Sequence, residues 1–290
     1  MAARKIIIDT DPATGYRFKD VDDGLAVLYL LALPDEFETL GLTVVHGNAS
    51  QRKAFKKAAE IVDIAGRPEV PVLAGAVSRR DFGVQTAASR FLAEAVVENP
   101  GEVTILALGP LTNVATAGIL EPSFYENVQS IVTMGGSFGS PFEFNFFKDT
   151  EAAGRVLAAQ CEKVLISGDL CRQALFTPGD LERLRGFGNR VAAYLIDPVG
   201  FWLRFNKVTH IAGNSGGFFP WDVVAAVYLR RPDVFGEIEK QALRLRRGRL
   251  KLGVLEPDSS SGSVPVKAPR RLLEPRQVVE EFLQAMATWG

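Results

Sequence analysis

Cysteine and histidine are scarce in this chain, two of each among 290 residues. Cys161 and Cys171 cannot build a disulfide scaffold, which leaves reduced, partly buried thiols in a cytoplasmic protein as the expectation. Net charge is nearly absent as well. A formal charge of −1 gives no global field for nucleic acid or an anionic membrane, so neither is expected as a partner. The apolar run LAVLYLLAL at 25–33 falls well short of the ~20 residues a membrane-spanning helix needs. MAARKIIID enters a strand pattern too soon to be a signal peptide, and no internal repeat or low-complexity tract stands out. What remains is ordinary for a globular protein, with 47% apolar and 23% charged residues. A single domain over 1–290 is expected.

Short runs rich in Val and Ile alternate with amphipathic segments through most of the chain. KIIID, LGLTVVHG, VPVLAG, VTILALG, VQSIVTMGG and KVLISGD read as strands, each ending in Gly or Asp or close to one. Between them DGLAVLYLLAL, RKAFKKAAEIVDIAG, QTAASRFLAEAVVEN, TNVATAGIL and TEAAGRVLAAQ carry apolar positions at helical spacing. This alternation predicts an α/β fold, a mostly parallel Rossmann-like central sheet with helices on both faces. Past about residue 178 the pattern changes to a helical region and then, at 236–268, to short strands and turns. With the closing helix PRQVVEEFLQAMATW, these form a smaller C-terminal strand/helix extension. The stretch DSSSGS reads as a surface loop rather than a linker. LRLRRGRLK at 243–251 alternates apolar and cationic residues, as a half-exposed strand does.

Ligands in such folds bind beyond the carboxyl ends of the strands, so the residues that follow each strand carry the chemistry. The first such stretch, IIIDTDPATGYRFKDVDDGLA, gathers Asp9, Asp11, Asp20, Asp22 and Asp23 between a strand and a helix. A helix N-terminus favours a carboxylate or two, and a capping role would account for that number. It does not account for four converging on one turn, where like charges repel unless a cation lies between them. Oxygen ligands without nearby His or Cys suit a hard cation, Ca²⁺ or Mg²⁺.

Asp9-Thr10-Asp11-Pro12 followed by Asp22-Asp23-Gly24-Leu25-Ala26 resembles the DxDPGxDDAxA signature of the inosine-uridine-preferring nucleoside hydrolases. HGN at 46–48, LGPLTNVATA at 108–117, VTMGG followed by EFNFFKDTEAA at 132–153, and FPWDVVAAVYL at 219–229 resemble further motifs of that family, in the family's order. The resemblance runs from about residue 5 to 235. It implies a Ca²⁺ held by Asp11, Asp23, Asp222 and the backbone carbonyl of Leu108. It also implies ribose contacts from Asp22, Asn48, Glu143 and Asn145, with Met134 lining the sugar pocket and Asp9 supporting the cluster. The implied activity is hydrolysis of the N-glycosidic bond of a ribonucleoside, with Asp11 taking a proton from the attacking water. Relatives are usually dimers or tetramers, so a homodimer or homotetramer is expected.

The residue before the last ligand aspartate is Trp221, where the pyrimidine- and inosine-processing branch commonly has a His. That substitution resembles the purine-preferring branch, in which an aromatic ring stacks on the base. Core filling is the plainer role for Trp221. Phe82 and Trp202 are candidates for a second aromatic wall; His46 is expected to pack at a strand end, and His210 to sit in an exposed loop. The chain departs from the family in a long spacer, ten residues between Asp11 and Asp22, with Ala13 in place of the signature glycine. It departs again in the short loop GGSFGSPF between Met134 and Glu143. Tyr16, Arg17 or Phe18 in the spacer is expected to reach the substrate, unless the spacer is a plain surface excursion. Two other readings stand beside this one. IIIDTDPATG loosely resembles the DxDGT opening of haloacid-dehalogenase-type phosphatases, in which the first aspartate is the nucleophile. A non-catalytic nucleoside-binding protein of the same fold is the other.

Overall fold

The computed structural model describes residues 2–209, 216–246 and 252–289. The apolar runs form strands β1 (Arg4–Thr10), β2 (Phe37–Val44), β3 (Val72–Ala74), β4 (Thr104–Ala107), β5 (Ser130–Met134) and β6 (Lys163–Ile166). Three more follow, β7 (Phe235–Leu245), β8 (Leu255–Pro257) and β9 (Pro265–Leu272). They make one nine-stranded sheet in the order β3-β2-β1-β4-β5-β6-β9-β7-β8. Pairing is parallel from β3 through to β9 and antiparallel between β9, β7 and β8. The helices in chain order are α1 (Asp22–Leu31), α2 (Gln51–Ile64), α3 (Ala87–Glu98), α4 (Thr112–Leu120), α5 (Phe124–Asn127) and α6 (Phe144–Lys148). They continue with α7 (Thr150–Leu157), α8 (Gly168–Cys171), α9 (Pro178–Gly186), α10 (Arg190–Thr209), α11 (Trp221–Arg230) and α12 (Pro275–Ala287).

Strand side chains alternate between faces, so β1 serves two apolar layers at once. Ile6 and Ile8 join the layer built with α1, α10, α11 and α12, while Ile7 joins the layer built with α3, α4 and α7. Helix α1 is buried along its whole length, against α11 among others, which is why its sequence is apolar almost all round. The C-terminal strands extend the central sheet: β9 pairs with β6, and the 11-residue β7 pairs with β9. Their mixed charged and apolar sequences, FGEIEKQALRL and PVKAPRRL, suit antiparallel strands with one face partly wet. The 258–263 stretch is a surface turn as read from sequence. Of the basic run at 243–251, residues 243–245 end β7, and 247–251 lie outside the described residues. No described helix is long and apolar enough to cross a membrane.

Candidate active site

The carboxyl ends of β1, β2, β4, β5 and β6 open on one side of the sheet, and the residues just beyond them line a cavity of about 410 Å³. Asp11 follows β1, Asn48 follows β2, Leu108 follows β4 and Met134 ends β5. Two helices aim their N-termini at the same place. Asp22 and Asp23 open α1, and Trp221 and Asp222 open α11. No side chain caps α1, so its two aspartates are not explained as caps. Gly47 and Gly109 press against the Asp11 carboxylate so closely that neither position has room for a Cβ.

Asp22, Asp23 and Asp222 each present a carboxylate oxygen within 4.8 Å of the other two, all of them buried. Asp23 is fixed by Thr10 Oγ1, which donates to its Oδ1 at 2.5 Å, and by the backbone N–H of Asp11 at 3.0 Å. Asp11 in turn accepts the backbone N–H of Asn48. The N–H of Asp222 donates to Asp22 Oδ2 at 3.3 Å. Burial, and after it the charges of its neighbours, pushes Asp11, Asp22 and Asp222 well above the usual carboxylate range. Asp23 is raised as well, by burial, against the hydrogen bonds that hold it. Hard carboxylate oxygens that repel one another in a water-poor site fit a hard divalent cation. Asp11 lines the same cavity, and its charge acts on Asp222 along with those of Asp22 and Asp23.

The sugar-side residues are also brought together. Glu143 caps α6, accepting the N–H groups of Asn145 (2.8 Å) and Phe146 (2.9 Å) and, from the loop after β5, of Gly136 (2.8 Å). Burial raises its pKa against the pull of those donors and of the Phe144 N–H. The Asn145 amide donates to the carbonyls of Leu108 at 2.7 Å and Met134 at 3.2 Å, and its own oxygen accepts no hydrogen bond among the described residues. Asp9 does not line the cavity. It is buried beneath the site and accepts Thr43 Oγ1 at 2.6 Å and Asn113 Nδ2 at 2.8 Å, and burial pushes its pKa up to about 7. A carboxylate so enclosed lacks the access that a phosphatase nucleophile needs, which removes the support for that alternative.

Trp221 and Trp202 line the cavity, whereas Phe82 packs on the opposite apolar layer of the sheet with Ile7 and its neighbours and is no wall of the site. His46 is buried away from the cavity, with Nε2 3.3 Å from Thr112 Oγ1. His210 lies outside the described residues. In the spacer, Tyr16 and Arg17 point elsewhere, while Phe18, Lys19 and Asp20 line the cavity. Asp20 had no role in the sequence reading. It accepts the N–H of Val21 at 2.7 Å, and burial pushes its pKa up to about 7. Arg172, also unforeseen, lines the cavity with its guanidinium 5.7 Å from the Trp221 ring. Both escaped notice because nothing in their local sequence sets them apart.

Comparison with known proteins agrees with this geometry. The profile of the family described as "Inosine-uridine preferring nucleoside hydrolase" matches residues 6–267. "Uridine nucleosidase 1" of Arabidopsis thaliana is 33% identical over 264 residues, covering 80% of this chain and 75% of that protein. Among solved structures, a plant nucleoside hydrolase superposes with a TM-score of 0.87 at 25% identity, over 98% of this chain and 99% of that one. A purine-preferring ribonucleoside hydrolase from Gardnerella vaginalis has a TM-score of 0.86 over 98% of both chains; at 22% identity it speaks for the fold.

Proposed function

The chain belongs to the inosine-uridine preferring nucleoside hydrolase family and hydrolyses the N-glycosidic bonds of nucleosides, and from that premise we propose a Ca²⁺-dependent N-ribohydrolase with a preference for purine ribonucleosides. The observation that carries this is the convergence of Asp22, Asp23 and Asp222 inside a cavity walled by Trp221. Asp11, Asp23 and Asp222 would hold the ion together with the Leu108 carbonyl, which keeps one lone pair beyond the bond from Asn145. When bound, Ca²⁺ supplies positive charge against the clustered carboxylates and Lewis acidity toward water.

The chain's own residues supply the rest. Asp11, held in place by the N–H of Asn48, takes a proton from the attacking water. Asp22 and Asn48 accept and orient ribose hydroxyls. The Glu143 carboxylate, held in place by backbone N–H groups and lining the cavity, accepts a sugar hydroxyl. The free amide oxygen of Asn145 takes another. As the glycosidic bond breaks, positive charge builds on the sugar ring, and these carboxylates stabilise it. Proton transfer alone is worth ~10²–10⁴-fold, so orientation and charge carry most of the acceleration.

Trp221, next to Asp222 at the start of α11, stacks on the departing base, and an aromatic ring at that position supports the purine preference. The Arabidopsis relative is named for uridine, so the test must span both base classes. Residues 1–290 are proposed to work as one unit in the cytoplasm, as a homodimer or homotetramer. The experiment is incubation with purine and pyrimidine ribonucleosides, with and without Ca²⁺, assayed for free ribose. Release that is fastest from purines and lost on chelation is expected. Ribose release that is indifferent to chelation sinks the calcium claim, and faster release from uridine sinks the purine claim.

A further inference from the structure

The spacer between Asp11 and Asp22 folds into a tight turn at the cavity mouth. Tyr16 N–H donates to the Ala13 carbonyl at 2.9 Å, and Lys19 N–H donates to the Tyr16 carbonyl at 3.3 Å. Residues 16–19 are therefore one four-residue turn, and its third residue, Phe18, has φ = 62°. That position of such a turn takes glycine or asparagine readily, and a bulky side chain there is strained. The strain secures little burial in return, because Phe18 is 63% exposed. Its ring meets Phe201 and Phe205 of α10 at 5.7 and 5.4 Å, inclined by 68° and 62°, and the residue lines the same cavity as Trp202 and Trp221. The other aromatic of the turn is committed elsewhere. Tyr16 Oη donates to the Lys53 carbonyl, and its ring lies near the ammonium groups of Lys53 and Lys57.

A strained, mostly exposed aromatic at the mouth of a nucleoside cavity serves the fold poorly and a planar ligand well. We propose that Phe18 is a specificity-determining residue whose ring lies against the nucleobase of the bound nucleoside. The proposal rests on the nucleoside-hydrolase reading of the site and adds a base contact made by this chain's own spacer. Phe201 and Phe205 hold the ring in place, and the left-handed turn presents it to the cavity. Trp221 supplies a ring from α11, so the base meets aromatic surface from two separate elements.

The test compares wild type with Phe18→Gly, Phe18→Leu and Phe18→Tyr on purine and pyrimidine ribonucleosides, with free base and free ribose as inhibitors. Glycine adopts a positive φ without strain, so the melting temperature of Phe18→Gly should hold or rise. Its KM should rise about tenfold, more for purines than pyrimidines, since a purine offers a larger face for stacking. Its kcat should change far less. Inhibition by free base should weaken while inhibition by ribose stays as in wild type. Phe18→Tyr should restore the wild-type KM, and Phe18→Leu should fall between. Wild-type turnover with an unchanged KM in Phe18→Gly overturns this inference alone. So does a KM rise that follows a drop in melting temperature, or equal loss of base and ribose inhibition. A wild-type protein that neither cleaves nor binds any nucleoside overturns the underlying reading as well.

Discussion

Gly47, in the loop after β2, gives the sharpest test of the geometry around Asp11. A Cβ at this position would lie 2.0 Å from Oδ2 of Asp11 and 2.9 Å from both its Cγ and Cδ of Pro110. Gly47 is not among the residues at positive φ, so the constraint is space and not backbone conformation. Ordinary contact begins at 3.4 Å, so in Gly47→Ala the carboxylate oxygen must retreat by 3.4 − 2.0 = 1.4 Å, or the loop must move as far. Retreat also breaks the bond from the Asn48 N–H, which fixes the carboxylate.

A misplacement of about 1 Å in a reacting group costs on the order of 10²-fold. Gly47→Ala should therefore lose about 10²-fold in kcat, or ~3 kcal/mol of transition-state stabilisation. Overpacking should cost a further ~1–3 kcal/mol of stability. Steady-state ribose release measures the first and urea denaturation the second. Gly154→Ala is the control. It lies within α7 with nothing inside 4 Å of its Cβ direction, so activity should stay and stability should rise by ~0.5–1 kcal/mol. A Gly47→Ala enzyme with native stability and kcat within about threefold of wild type would refute the placement of Asp11 as proton acceptor.

Three further outcomes are expected. Asp222→Asn removes one of three converging carboxylates, so half-maximal activity should need roughly tenfold more Ca²⁺ or beyond; an unchanged requirement would place the ion elsewhere. Trp221→Ala should raise KM for purine nucleosides more than for pyrimidines, and equal losses across bases would remove its stacking role. Burial lowers the His46 imidazole below its ordinary 6.5, with Asp149 pulling the other way, so the folded state binds fewer protons than the unfolded one. Stability should then fall as pH drops below about 6.5 and stop falling once the folded-state pKa is passed. His46→Gln should flatten that limb in urea titrations, and an unchanged slope would show that another group is responsible.

The strands and the buried α1 were legible because Val/Ile runs and near-continuous apolar helices leave few alternatives. The carboxylate cluster was legible because both acidic pairs lie next to a strand end and a helix start, where the topology must bring them together. The position of β9 between β6 and β7 was not, since strand order is a long-range property that local pattern does not encode. Helix α6 escaped notice because FNFFK has no helical periodicity and begins only where the Glu143 carboxylate gathers three N–H groups. Phe82 and Trp202 looked equivalent in sequence, yet one packs across the sheet and the other lines the cavity. Phe18 was among the spacer residues expected at the substrate, but the turn at 16–19 that singles it out, and brings Asp20 to the cavity, had no local signal, as it places an aromatic where glycine is preferred.

The acidic cluster raises the question of what offsets its repulsion during folding. Asp22 and Asp23 lie in the first turn of α1, and Asp222 in the first turn of α11, two helices packed on one another. Each helix N-terminus favours a nearby carboxylate by ~0.3–1 kcal/mol, and up to ~2 in partly buried geometry. That is too little to hold three buried anions together, and the pKa values of all three remain raised. The fold therefore stops short of satisfying its own charges and leaves a deficit of positive charge beside the cavity. A hard cation held there would meet part of it. In the proposed reaction, the positive charge that builds on the sugar ring as the base departs would meet more of it, so carboxylates that repel one another in the resting fold would favour the transition state over the ground state.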